Sequence, residues 1–155
     1  MLRISKLTDY ATVILGLLAA EPDLQQTAAG IAERTQVAAP TVSKLLKQLQ
    51  RAQLVTSVRG LHGGYRLARP ARELSAAAIL DALEGPVALT ACAAEHSHCG
   101  LEGTCRVGGA WQRVNRAIRQ SLQEITLADL AGLEAGTTHF AHFDVKLRNR
   151  LHEAR

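Results

Sequence analysis

The segment PTVSKLLKQLQRAQLVTSVRGLHGGYRLARPAR, residues 40–72, changes its hydrophobic period halfway along. Its first part sets Val42, Leu45, Leu46 and Leu49 at spacings of three and four, the stripe of a helix packed by one face. Its second part reads as two short β-prone runs, over about 54–58 and 65–68, divided by Gly60, Gly63 and Gly64. A lone hairpin is not stable in water, and a one-sided helix needs a neighbour over its leucines. The rest of the chain must therefore be arranged to cover both.

The preceding residues supply that cover. A helix is expected over about 8–20, capped by Ser5 or Thr8, stopped by Pro22, with Tyr10, Val13, Ile14, Leu17 and Leu18 as its stripe. Thr27 suits the N-cap of a short helix over about 28–34, with Ile31 facing inward. Pro40, with its fixed φ and missing N–H, suits the first position of the next helix, over about 40–52. Two short helices and a tight turn, the second helix apolar inside and polar outside, form the pattern of a helix-turn-helix. A basic, glycine-tipped hairpin directly after them makes it a winged helix. The expected fold class is mainly α, a winged helix-turn-helix domain with a long C-terminal dimerisation helix.

Charge points the same way. The net charge is +4, yet residues 34–72 hold eight basic side chains (Arg34, Lys44, Lys47, Arg51, Arg59, Arg66, Arg69, Arg72) and no acidic one. A one-signed stretch inside an ordered pattern suggests a polyanion, here double-stranded DNA; the bland alternative is a solvated face. Thr41, Ser43 and Lys44 are placed to reach base edges or nearby phosphates, with Gln48 on the same outer face. Lys47 and Arg51 suit phosphates, and Arg59, His62 and Arg66 surround a glycine tip able to approach the backbone or minor groove.

Beyond the hairpin, Ser75 suits the cap of a helix over about 76–84, ended by Gly85-Pro86. A long helix over about 107–124 carries Trp111, Val114, Ile118, Leu122 and Ile125 in a narrow stripe. Such a stripe outside a compact domain needs a partner, and a second copy of the chain is the simplest; packing onto its own domain is the alternative. Thr126 suits the cap of a last turn, TLADL. The expected division is a DNA-binding domain over 1–86, a cysteine loop over 87–106, a dimerisation helix and cap over 107–132, and a disordered tail over 133–155. No run approaches about 20 apolar residues and none resembles a signal peptide, so a cytoplasmic protein with no membrane partner is expected.

All three cysteines fall in CAAEHSHCGLEGTC, as Cys92, Cys99 and Cys105. Three is odd for disulfides and one short of a four-ligand metal site. In a reducing compartment clustered thiols point to metal or redox chemistry. Structural zinc sites usually take cysteines in close C-x₂₋₄-C pairs, whereas the gaps here are six and five residues. The residues alone leave zinc, an iron–sulfur cluster and a metal-free thiol switch open, although a switch needs only two cysteines. An enzyme is disfavoured, because phosphate loop, nucleophile elbow, HExxH and C-x-x-C are all missing. A winged helix used only for protein interaction is the other class.

The helix pair, the wing SVRGLHGGYRLARP and the cysteine loop together resemble the IscR/NsrR-type bacterial transcription regulators, dimeric winged-helix proteins that carry an iron–sulfur cluster. The resemblance runs from Leu2 to about Leu130, and its most specific pieces are VRG…GGY over 58–65, the cysteine triplet and ITLADL. The opening MLRISKLTDYA is closest to the subgroup regulating SUF iron–sulfur assembly genes. This resemblance implies a homodimeric repressor of such genes, with a 4Fe–4S or 2Fe–2S cluster on Cys92, Cys99 and Cys105. IscR-like members complete the site with a histidine three residues past the last cysteine, but position 108 here is glycine. The loop is also one residue longer between Cys92 and Cys99, with His96 and His98 inside it. NsrR-like members take an aspartate from the first helix of the other subunit, and KLTDYA sets Asp9 at the matching position. The resemblance thus implies Asp9 as the fourth ligand; its plain reading is an acid favoured by the helix dipole.

Overall fold

The computed structural model describes residues 4–60, 63–90 and 105–133. The chain is mainly α. Helices α1 (Lys6–Ala20), α2 (Ala28–Thr35) and α3 (Ala39–Arg51) precede strands β1 (Val55–Val58) and β2 (Gly64–Leu67). A 3₁₀ turn (Ala71–Glu73) leads to α4 (Ala76–Glu84), α5 (Gly108–Glu124) and the short α6 (Leu127–Leu130). Four helices begin at side-chain caps that the sequence marks. Ser5, Thr27 and Ser75 accept from the N–H of Thr8, Gly30 and Ala78, and Thr126 forms a reciprocal capping box with Asp129. Each such cap is worth about 1 kcal/mol. Helix α3 begins instead at Ala38, without a side-chain cap, and Pro40 lies at its second position rather than its first.

The leucine stripe of α3 is buried as expected, against Ile14, Leu15 and Leu18 of α1, Ile31 of α2 and Ile79 of α4. Helix α1 packs by a face rotated from the expected stripe, keeping Ile14, Leu17 and Leu18 toward the core and exchanging Tyr10 and Val13 for Ala11 and Leu15. Ala11, Ile14, Leu15 and Leu18 point inward, while Tyr10 and Val13 remain 36% and 48% exposed. This helix is apolar over most of its circumference, so periodicity does not choose a face. Small Ala11 and Ala19 allow the close approach that decides it.

The wing is antiparallel, with Val55 opposite Leu67, Thr56 opposite Arg66, Ser57 opposite Tyr65 and Val58 opposite Gly64. Its strands stop one residue short of the expected outer ends. A third piece of backbone joins them: Gln26 and Tyr65 exchange N–H···O bonds of 3.0 and 2.8 Å just before α2. Gly64 is required there, because a Cβ would lie 2.8 Å from the Gln26 carbonyl oxygen.

Residues 125–128 return to this core. The Leu127 N–H donates to Leu74 O at 2.7 Å, Ala76 N–H donates to Ile125 O at 2.8 Å, and Leu127 is fully buried. Helix α5 therefore leaves the core and comes back to it, yet none of its residues is buried. It rests on α4 through a bidentate ion pair, Arg119 to Asp81 at 2.6 and 3.0 Å, and on the segment after α4 through Asn115 Oδ1, which accepts from Leu89 N–H at 3.2 Å.

Candidate nucleic-acid interface and cysteine site

Gln36 ends α2 in the left-handed region, at φ 58°, and the chain turns sharply into α3. With its leucines inward, α3 presents Lys44, Lys47 and Arg51 to solvent, with Thr41 and Ser43 half-buried beside them. Among the described residues none of these cations is held in an ion pair. Arg59 and Gly60 lie exposed at the start of the wing tip, and Gly60 has φ 121°, open to glycine and strained for other residues. His62 lies outside the described residues. Gly63 closes the turn; a Cβ there would sit 2.3 Å from the Val58 carbonyl oxygen.

Two polar residues of the basic stretch and its outer face do other work, and a third lies back from the wing tip. Arg34 is held by Glu21 through bonds of 2.6 and 3.0 Å and by Gln26 Oε1 at 2.9 Å, so it braces α2 against the end of α1. The Arg34 hydrogen bond holds the Glu21 carboxyl below its ordinary range and raises Arg34 in turn. Gln48 departs from the expected DNA-facing role. Its Nε2 donates inward to the carbonyls of Ala82 and Leu83, at 3.2 and 3.4 Å. Those carbonyls end α4 and have no intrahelical donor, so Gln48 caps α4 from α3. Arg66 is exposed on β2, but opposite Thr56, two pairs back from the tip. Conversely, Gln50 was not marked by the sequence, yet its Nε2 donates to Ser57 Oγ at 2.9 Å and ties the end of α3 to the wing. No motif distinguishes that glutamine from its neighbours.

The cysteine site is described at one end only. Cys92 and Cys99, with His96 and His98, lie outside the described residues. Cys105 is half-buried, not in a disulfide, and stands just before α5. A Cβ on Gly108 would be 3.7 Å from the Cys105 sulfur, an ordinary van der Waals contact, so the first residue of α5 lies directly beside the thiol. Among the described residues no three of His, Cys, Asp and Glu gather as a metal site. Asp9 is exposed in the first turn of α1.

One contact near Asp9 was not anticipated. The Glu84 carboxylate, at the end of α4, accepts from Ser5 N–H at 2.9 Å and from the Thr8 hydroxyl. The Thr8 bond first, then those of Ser5, holds its carboxyl below the ordinary range. The root of the cysteine segment is thereby fastened to the turn that carries Asp9.

Of the expected dimerisation stripe, Trp111 and Val114 are 45% and 43% exposed, while Ile118 and Leu122 are half-buried. Ile118 and Leu122 line a groove of about 390 Å³ with Leu80 and the 85–89 segment. The stripe is divided between packing within the chain and an open apolar surface. Leu7, Tyr10 and Val13 add exposed apolar area on α1.

Residues 4–132 match the Rrf2 family, described as iron-dependent transcriptional regulators. Protein rrf2 of Nitratidesulfovibrio vulgaris is 33% identical over 100 residues, which cover 64% of this chain and 67% of that protein. Among solved structures, CymR (YrzC), the global cysteine regulator of B. subtilis, is 27% identical with a TM-score of 0.65, covering 86% of this chain and 99% of that one. IscR of T. potens is 28% identical with a TM-score of 0.64, covering 91% and 96%. The oxidised form of Staphylococcus aureus CymR is 30% identical with a TM-score of 0.60, covering 84% and 96%. Spanning helix pair, wing, α5 and α6, the match shows that this chain belongs to the Rrf2 family of transcriptional regulators, which are not enzymes.

Proposed function

We propose that the chain acts in the cytoplasm as a homodimer on double-stranded promoter DNA, and represses iron–sulfur assembly genes according to the state of a cluster it holds. The observation that carries the DNA reading is the open row Lys44, Lys47 and Arg51 beside Thr41 and Ser43, with Arg59 at the wing tip. Cations on one face of α3 suit phosphates, and the two hydroxyls suit base edges. Paired copies would read successive major-groove faces about 34 Å apart.

For the cluster, the donor chemistry fits what is described. A half-buried thiol, free of disulfide, is a donor of the kind an iron–sulfur cluster takes. Cys92, Cys99 and Cys105 would hold it, with Asp9 of the second copy as the fourth ligand. When bound, an iron–sulfur cluster supplies oxidation- and oxygen-sensitive bonds. The chain's own part is mechanical. Cys105 stands three residues before α5, and Glu84 links the other end of the cysteine segment to α1. A change at the cysteines thus reaches two helices at once. Dimerisation is supported by α5, which buries none of its own residues yet exposes Trp111 and Val114.

A second reading is favoured by one comparison. CymR of B. subtilis, the global cysteine regulator, is as similar to this chain as IscR of T. potens is, and the second reading is a thiol switch without a cluster. Anaerobic purification with iron and sulfide analysis, absorption and Mössbauer spectra separates the two. Stoichiometric iron and sulfide support the cluster; a metal-free protein whose promoter binding changes on thiol oxidation supports the alternative.

A further inference from the structure

Behind the wing, β1, β2, the end of α1 and the chain around α6 line an open hollow of about 550 Å³. Three arginines line it: Arg66 on β2, Arg69 just beyond it, and Arg72 in the 3₁₀ turn. Its apolar wall includes Ala19, Leu67 and Ala128, and no acidic residue lines it among the described residues. Two arginines elsewhere in the fold are neutralised within the chain. Arg34 and Arg119 each meet a carboxylate through two hydrogen bonds, whereas Arg66, Arg69 and Arg72 have no ion pair among the described residues. Three like charges around one hollow repel one another and are stabilised by an anion.

Its place argues against DNA as that anion. No residue of α3 lines the cavity. Arg66 sits opposite Thr56, two pairs back from the tip, and Arg69 and Arg72 lie past the end of β2, where the wing joins the body. The volume falls within the range of small-molecule sites, roughly 300–1,000 Å³. Guanidinium forks match carboxylate and phosphate alike.

We propose that this cavity binds a small organic dianion, with acidic groups on the three arginines and its carbon body against Leu67 and Ala19. Such a ligand joins β2 to the end of α1 and so steadies the base of the wing. Its influence on promoter affinity rests on the DNA-binding reading above; the binding itself does not.

The test uses the full chain and two probes, succinate for carboxylate and glycerol 3-phosphate for phosphate ester, each against sodium chloride at equal ionic strength. Calorimetry and thermal unfolding should show saturable binding of at least one probe beyond the chloride control. Arg69→Gln/Arg72→Gln should keep the unliganded melting temperature and weaken that probe about tenfold or more, because charge-assisted hydrogen bonds are lost. Promoter binding by the double variant, without probe, should keep the wild-type salt slope. Effects matched by chloride for both probes, or equal in wild type and variant, overturn the proposal. A salt slope reduced by about two units would show these arginines to be DNA phosphate contacts, and overturns it as well. If promoter binding fails altogether while probe binding follows the arginines, the DNA reading fails and the dianion site stands.

Discussion

The Glu84 carboxylate accepts the Thr8 hydroxyl, and so joins the last turn of α4 to the first turn of α1 across 76 residues of sequence. The same oxygen takes the Ser5 N–H, which precedes the helix and would otherwise face solvent. Its lowered carboxyl pKa makes this link dependent on pH. A depressed folded-state value means stabilisation that is complete above the ordinary carboxylate range and lost as pH falls through the lowered value. Glu84→Gln should therefore melt slightly below wild type near neutrality, and the difference should close in acid, below about pH 4.5. The site is exposed, so the effect is small. Melting curves across pH check it; a gap that widens in acid refutes the assignment.

Lys47→Ala/Arg51→Ala should weaken binding to all DNA sequences alike and flatten the salt slope by up to about two units. Thr41→Ala or Ser43→Ala should instead change preference at a few base pairs. Fluorescence anisotropy at several salt concentrations distinguishes these outcomes, and four silent substitutions would remove α3 from the interface.

Gln48 provides the contrast within the same helix. Because its amide caps the Ala82 and Leu83 carbonyls, Gln48→Ala should cost about 1 kcal/mol of stability and leave the salt slope unchanged. Urea unfolding beside the anisotropy series measures both. Loss of sequence preference without loss of stability would return Gln48 to the DNA surface.

Trp111→Ser/Val114→Ser should produce monomers with nearly the wild-type melting temperature, since both side chains are open in the single chain. Burial of each against a second copy is worth roughly 2 kcal/mol. Ile118→Ser should lower the melting temperature as well, because Ile118 also packs toward α4. Sedimentation velocity and calorimetry together check the division.

Asp9→Ala should leave fold and dimer intact, as its side chain is exposed in the first turn of α1. With a cluster on Cys92, Cys99 and Cys105, the variant should lose iron to oxygen faster than wild type, while His96→Ala and His98→Ala should change little. Decay of the visible absorption in air measures this. Cluster loss in a histidine variant, with Asp9→Ala normal, would place all ligands within one loop.

Much of this fold is legible in the sequence alone. Thr27, Ser75 and Thr126 announce helix starts because capping is local chemistry, read within three residues. The stripe of α3 declares its buried face because strongly polar residues occupy the other side. Gly60, Gly63 and Gly64 mark the wing tip for the backbone reasons the structure displays. In helix α1 only Ile14, Leu17 and Leu18 of the expected stripe face the core, because an apolar helix carries no such contrast. Only packing against α3, α4 and α6 decides that Ala11 faces inward and Tyr10 outward. The same holds for the polar side chains. Whether Gln48 meets DNA or caps α4, whether Arg34 meets phosphate or Glu21, and whether Glu84 meets solvent or Thr8 depend on partners 13 to 76 residues away. Hydrophobic period and capping are short-range properties of a chain. Hydrogen-bond partnership is a property of the surfaces that folding brings together.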